Sequence, residues 1–434
     1  MPPAISAIRF PFELKKDQLE AAEAWVANGC RGSVIFSTGT GKTEIAFECA
    51  RRAAGLSGQD RFPILFLVPR IVLVEQNVKR LQRYGVPDDH IGVYYSERKD
   101  IKEITISTYQ SAINNSGLIR SAMMVVLDEV HLVSETAAAF DSIFDVIVED
   151  PGKSILGLTA TINEKDPRYQ TILTVAPPVK KYMIKDAVTD GRLARPIVEP
   201  VQVSFTPEEQ IIYDEVSAAI KNISRKLQTY DPAKMTKMLM RGGARGSMAK
   251  TWFAHVRKRK ELLSATKQKL LKAVELVKKH PGERIMIFSE TIDSIRQLKD
   301  LLEGAGVLAQ MIHNGVKPRE RQEILQSWGK DYFPLLSVHT LEIGYDVPQV
   351  GIAIIIASTS NMNQVAQRIG RVIRKVEGKD HAFVYVVYVG GSKDDNVLRV
   401  VRAAVEKEND RPSRAPSPRV KRPTQSQSTL AKFS

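Results

Sequence analysis

Short apolar runs recur along the chain with stretches of helical spacing between them. Ser33-Val-Ile-Phe36, Ile64-Leu-Phe-Leu-Val68, Ile104-Thr-Ile-Ser107, Met124-Val-Val-Leu127 and Ser154-Ile-Leu-Gly-Leu158 are dense in Val, Ile, Leu and Phe and barely alternate with polar residues. Residues 42–54 and 71–84 instead carry the three- and four-residue apolar spacing of helices. Uninterrupted apolar strands separated by helices predict a parallel sheet covered on both faces. The scheme returns at Arg284-Ile-Met-Ile-Phe288, Leu335-Leu-Ser-Val338, Ile352-Ala-Ile-Ile-Ile-Ala357 and Ala382-Phe-Val-Tyr-Val-Val387. Two α/β bodies are therefore expected, over 1–204 and 281–410. Between them 205–280 shows no strand pattern. Pro207 to Leu227 and Ala249 to Lys279 read as helices, joined by a turn at Arg241-Gly-Gly-Ala-Arg-Gly246. Residues 411–434 are rich in Pro, Ser and Arg, which predicts a disordered tail.

Composition narrows the class. With 434 residues, 43% hydrophobic and 26% charged, the chain is neither collagen-like, nor a coiled-coil rod, nor disordered throughout. Its longest apolar run, around 351–357, falls far short of the roughly 18 residues a membrane span needs. The first residues lack the basic-then-apolar order of a secretory signal, and Cys30 and Cys49 are too few for a disulfide framework, so a cytoplasmic location is expected. The net charge is +14, but it is unevenly placed. Residues 205–280 hold 17 Lys and Arg against 7 Asp and Glu, and 411–434 hold 6 against none. The two bodies are near-neutral, so a polyanion partner is expected at the basic insertion and tail.

Ser37-Thr-Gly-Thr-Gly-Lys-Thr43 follows a predicted strand and opens a predicted helix. That is the setting of a phosphate-binding loop, here Ser37, Thr38, Gly39, Thr40, Gly41, Lys42 and Thr43. Glycines let backbone N–H groups approach phosphates at the positive end of the helix dipole. Lys42 is expected on the β- and γ-phosphates of ATP and the Thr43 hydroxyl on Mg²⁺. The strict pattern departs at its first position, where Phe36 stands in place of glycine. Asp128-Glu-Val-His131 closes the apolar strand 124–127. A carboxylate at a strand's C-terminal end can reach Mg²⁺ through Asp128, and Glu129 can then orient and deprotonate the attacking water. The residue order does not fit a zinc-binding H-E-x-x-H helix.

Together with Leu158-Thr-Ala-Thr161 and Gln367-Arg-Ile-Gly-Arg-Val-Ile-Arg374, these segments resemble the signature of superfamily 2 helicases. The resemblance takes in Val68-Pro-Arg-Ile-Val-Leu-Val-Glu-Gln76, Ser107-Thr-Tyr-Gln-Ser111, Ile287-Phe-Ser-Glu290 and Gly344-Tyr-Asp346, in order. The form of the 367–374 segment, with Gly191-Arg-Leu-Ala-Arg-Pro196, looks most like the XPB-type DNA helicases and secondarily like restriction-enzyme motor subunits. The family implies two RecA-like domains with ATP between them and DNA as substrate, hence nucleoid association. It implies that Gln367, Arg371 and Arg374 face the γ-phosphate and that Gln18 reads adenine. It further implies that Arg70, Thr108 and Thr340 hold the DNA backbone, while His131, Thr159, Thr161, Gly344 and Asp346 couple ATP state to DNA grip. Asp17 occupies the place before Gln18 where the family usually carries an aromatic residue.

The family also implies a thumb-like helical insertion, close to where 205–280 lies. Residues 221–260 hold 12 Lys and Arg and one acid, Asp231, with Tyr230, Trp252 and Phe253 nearby. Such cations can neutralise phosphates, and an aromatic ring can stack on an exposed base, although packing is the commoner role for Trp252 and Phe253. In the tail, Gln427-Ser-Thr-Leu-Ala-Lys-Phe433 resembles the sliding-clamp (PCNA) binding box of archaeal clamp partners, with Leu430 and Phe433 on one face of a helical turn and Gln427 in a polar pocket. The leading expectation is an ATP-dependent DNA helicase or translocase acting in repair, recombination or transcription. The alternatives are an RNA helicase, a restriction-type motor with a nuclease partner, and a clamp-tethered DNA-binding protein using ATP as a switch.

Overall fold

The computed structural model describes residues 2–136, 138–162, 164, 166–338, 350–357, 365, 368–370, 372–373 and 380–406. In chain order the first body's strands are β1 (Arg31–Phe36), β2 (Ile64–Val68), β3 (Ile91–Tyr95), β4 (Arg98–Asp100), β5 (Ile104–Thr108), β6 (Met124–Asp128), β7 (Ser154–Thr159) and β8 (Pro178–Tyr182). They form one sheet in the order β4-β3-β5-β2-β6-β7-β1-β8. All pairings are parallel except the short β3–β4 edge. Every residue of β2 and β5 is buried, as the unbroken apolar runs demand. Two apolar cores, one on each face, sandwich this sheet. One contains Trp25, Phe47 and Phe66 and the other Leu67, Phe144 and Ile147.

The second body is a parallel six-stranded sheet of β9 (Arg195–Val203), β10 (Ile285–Ser289), β11 (Gln310–Ile312), β12 (Pro334–Val338), β13 (Ile352–Ile355) and β14 (His381–Val389). Their spatial order is β11-β12-β10-β13-β14-β9. Here the structure corrects the sequence boundary at 204. All nine residues of β9 pair in parallel with β14, so the chain has already entered the second body at Arg195. Pro196 and Pro200 are tolerated because β9 is an edge strand whose outer side makes no ladder bonds.

The insertion is likewise smaller than 205–280. Helix Pro207–Leu227 starts at a capping box in which Thr206 and Glu209 satisfy each other's backbone groups. Helices Pro232–Arg241 and Gly243–Ser264 pack with it around Val216, Ile220, Leu227, Met235, Ala249 and Trp252. The stretch expected as one helix to Lys279 breaks at Ala265. The helix that follows, Lys267–Lys279, buries Leu270, Ala273, Leu276 and Val277 in the second body's core. Trp252 donates its indole N–H to Ser224 Oγ at 2.8 Å inside the insertion core. It is a packing residue, and Phe253 leans edge-on against it with ring centroids 5.0 Å apart. Tyr230 alone of the three aromatics stands well out in solvent. Among the described residues, no helix is long and apolar enough to cross a membrane.

Candidate active site

The strand order brings the chemistry together. β7 lies between β1 and β6, all three parallel, so their C-terminal ends emerge side by side. That edge is where open α/β sheets bind ligands. β1 delivers the Ser37–Thr43 loop, β7 delivers Thr159 and Thr161, and β6 delivers Asp128 to His131. The sequence reading placed each of these on a separate strand; the sheet makes them neighbours.

The loop turns on two glycines with left-handed backbone, Gly39 at φ +88° and Gly41 at φ +87°. A Cβ on Gly41 would collide with the Gln18 side-chain amide. Helix Lys42–Ser57 begins directly after it and presents its N-terminus to the loop. Gln18 braces this turn. Its Nε2 donates to the Thr40 and Gly41 carbonyls at 3.2 Å each, and its Oε1 accepts the Lys15 N–H at 2.8 Å. Lys42 Nζ donates to the Phe36 carbonyl at 3.2 Å, folded back over the loop.

Asp17, which replaces the family's aromatic, has a different partner. It forms an ion pair with Arg192, whose guanidinium also donates to the Thr40 carbonyl at 2.6 Å and lies over the Tyr182 ring. Arg192 stands two residues before a join between the bodies, where the Ala194 N–H donates to the Ile373 carbonyl at 2.7 Å. This link was missed from sequence. So was Phe12, an exposed ring packed edge-on to Tyr84, whose hydroxyl donates to Glu44 in the first turn of the loop's helix at 3.1 Å.

The acidic pair is held under strain. Glu129 has φ +52°, a left-handed conformation that costs a non-glycine residue of order 1–3 kcal/mol and collects at functional sites. Asp128 is partly buried at the end of its strand, and desolvation with the neighbouring Glu129 charge pushes its carboxyl up to about 7, opposed by Lys42. His131 Nδ1 lies 3.0 Å from Thr159 Oγ1 and 3.5 Å from Glu129 Oε2. Thr159 Oγ1 donates in turn to the Thr161 carbonyl at 2.9 Å.

Three buried oxygens at this edge lack any hydrogen-bond partner: Ser37 Oγ, Thr38 Oγ1 and Glu129 Oε2. Leaving such groups unpaired costs about 1–3 kcal/mol each. A crowded carboxylate pair, orphaned loop hydroxyls and glycines bent around an open cradle fit a phosphate group with a divalent cation. Among the described residues no cluster of three metal-ligating side chains occurs. A Mg²⁺ shared with phosphates needs only one or two protein oxygens.

Of the remaining sequence-predicted residues, Arg70 is exposed at the start of helix Ile71–Arg83. Thr108 caps helix Tyr109–Asn114, donating to Ser111 Oγ at 2.9 Å. Thr340, Gly344, Asp346, Gln367, Arg371, Arg374, Gln427, Leu430 and Phe433 lie outside the described residues. The segment that carries the arginines does reach the loop through Gly370, where a Cβ would stand 2.7 Å from Thr38 Cβ.

Residues 11–164 match the family described as the type III restriction enzyme res subunit, and residues 266–376 match the helicase conserved C-terminal domain. Over 399 residues the chain is 25% identical to a protein named DNA 3'-5' translocase XPB2 from Sulfurisphaera tokodaii, covering 89% of this chain and 85% of that one. It is also 25% identical over 391 residues to the DNA 3'-5' helicase XPB of Mycobacterium tuberculosis, covering 87% of this chain and 61% of the relative. The DNA-bound type ISP restriction-modification enzyme LlaBIII superposes with a TM-score of 0.61 at 16% identity, over 92% of this chain and 30% of its own, a likeness of fold. The two family matches fall in order on the two sheets, and the XPB relatives align across both: the chain carries the paired domains of an ATP-dependent DNA helicase and is similar to XPB DNA helicases along most of its length.

Proposed function

We propose that this chain is an ATP-driven DNA translocase that moves along DNA, or opens it, in repair, recombination or transcription. The observation that carries the reading is the close series in which His131 Nδ1 stands 3.5 Å from Glu129 Oε2 and hydrogen-bonds to Thr159, which in turn donates to the Thr161 carbonyl. It joins the residue placed to activate water to the segment expected to sense nucleotide state. Lys42 and the loop N–H groups hold the β- and γ-phosphates of ATP, and Glu129 accepts the proton of the attacking water at its unpartnered Oε2. Thr43 and Asp128 would hold Mg²⁺, which supplies neutralisation of charge on the phosphates. Arg371 and Arg374, with Gln367, complete the site from the second body on closure, and Gly344 and Asp346 follow that movement. Arg70, Thr108 and Thr340 grip phosphates, so binding is expected to be indifferent to base sequence.

The tail residues Gln427, Leu430 and Phe433 are proposed to dock on a sliding clamp; replacing Leu430 and Phe433 with Ala should abolish that binding. Work on DNA would place the protein in the cytoplasm with the nucleoid. A restriction-type motor is favoured by one observation, the res-subunit match over 11–164, and would need a nuclease partner for cleavage. Displacement of a third strand from triplex DNA tests the motor reading. ATP should drive displacement in the full chain and fail to do so in Glu129→Gln. Displacement that is equal with a non-hydrolysable analogue would refute it.

A further inference from the structure

One chain of buried charge leads from the basic insertion to the segment expected to carry the arginines. Lys260, on the insertion's last helix, places Nζ 2.8 Å from Glu290 Oε2. Glu290 follows directly on β10, and its Oε1 accepts from the Arg368 guanidinium at 3.0 Å. Glu290 and Arg368 are almost wholly enclosed, whereas Lys260 is 48% exposed at its side chain. Arg368 also lies over the Phe288 ring, 5.6 Å from its centroid. It sits next to Gln367 and two positions before Gly370, the residue packed on Thr38 of the nucleotide loop. One carboxylate is therefore shared by a half-exposed cation on the insertion and a buried cation beside the ATP site.

We propose that Glu290 is a positioning residue that couples occupancy of the insertion by a polyanion to the placement of the 367–374 segment against ATP. This rests on the motor reading above. A phosphate arriving at the insertion competes with Glu290 for the Lys260 ammonium. Glu290 then loses the cation on the insertion while keeping Arg368, which alters the balance of forces on that segment. The pair cannot simply dissolve, because a buried charge stripped of its partner is strongly disfavoured. The link is a coupling free energy between two sites, so it acts in both directions: nucleotide state must change DNA affinity by the factor with which DNA changes nucleotide affinity.

The test is a double-mutant cycle in the full chain with Lys260→Met and Glu290→Gln. It reads the ratio of DNA-stimulated to DNA-free kcat, and DNA Kd with and without a non-hydrolysable ATP analogue. Lys260→Met should lower the stimulation ratio about fivefold. Glu290→Gln should lower it at least as far, and the double variant no further than Glu290→Gln alone. The analogue's effect on DNA Kd should shrink in step, a change that mere loss of packing would not produce. If Glu290→Gln does not fold, Lys260→Met with Arg368→Lys takes its place, and the same non-additivity is expected. Independent, multiplicative effects, or an unchanged ratio in Lys260→Met, would overturn the link while leaving the motor reading intact. A wild-type chain that DNA does not stimulate would overturn both.

Discussion

The C-terminal edge of the first sheet and the ion pairs at the heart of the second body treat buried polar groups in opposite ways. At the C-terminal edge of the first sheet, Ser37, Thr38 and Glu129 keep buried oxygens without partners, Glu129 is held at positive φ, and Asp128 is crowded by its neighbour. In the second body, the buried cations Lys269 and Arg368 are ion-paired. Lys269 is fully enclosed, forms an ion pair with Asp394, and donates to the Leu263 and Ile356 carbonyls at 2.8 Å each. Arg368 has Glu290, and Glu290 has Lys260. Unpaired polar atoms mark where a ligand completes the structure, and saturated pairs mark where a frame must hold its shape. The first body is a cradle, and the second, with the insertion tied to it, is the frame that stands against it.

The sharpest way to break this contrast is Glu129→Gln. Removing the proton acceptor should lower kcat about a thousandfold while KM for ATP stays within about threefold. An equal loss in both would make Glu129 part of the binding surface. The second body should respond in stability instead. Lys269→Met leaves Asp394 buried without its cation and should cost about 3–5 kcal/mol in urea melts, whereas Lys269→Met with Asp394→Leu should recover most of it. A cost below about 1 kcal/mol for the single change would deny the pair its framing role. The smallest effect is expected at Arg192→Ala, which leaves the Thr40 carbonyl to Gln18 and strands Asp17. KM for ATP should rise about tenfold, the scale of one hydrogen bond to a charged group, and the melting temperature should fall by less than in Lys269→Met because Arg192 is partly exposed. An unchanged KM would reduce this contact to a surface tether.

Much of this plan was legible in the sequence, for a physical reason. β1, β2, β5, β6, β7, β10, β12, β13 and β14 lie within their sheets and read as plain apolar runs. Edge strands need bury only one side, and β4, β8, β9 and β11 were lost, as was the short β3 that lies one place in from the edge. β8 is Pro-Val-Lys-Lys-Tyr, and β9 alternates apolar and polar residues around two prolines. The misplaced boundary at 204 follows from that loss. The loop and the acidic motif announced themselves because their residues are contiguous. Asp17 with Arg192, and Lys260 with Glu290 and Arg368, are joined only by the folded chain, and no spacing in the sequence foretells them. Trp252 could be weighed as a base stacker from its basic surroundings until Ser224 was found holding its indole.

If the first body's cradle is an ATPase site, DNA held across the molecule should govern its turnover. Steady-state ATP hydrolysis with Mg²⁺ should therefore be measured without nucleic acid, and with single-stranded DNA, duplex DNA and RNA, alongside Lys42→Ala. The expected result is weak turnover alone, strong stimulation by DNA, and loss of both in Lys42→Ala. Stimulation by RNA and not DNA, or turnover that survives in Lys42→Ala, would contradict it.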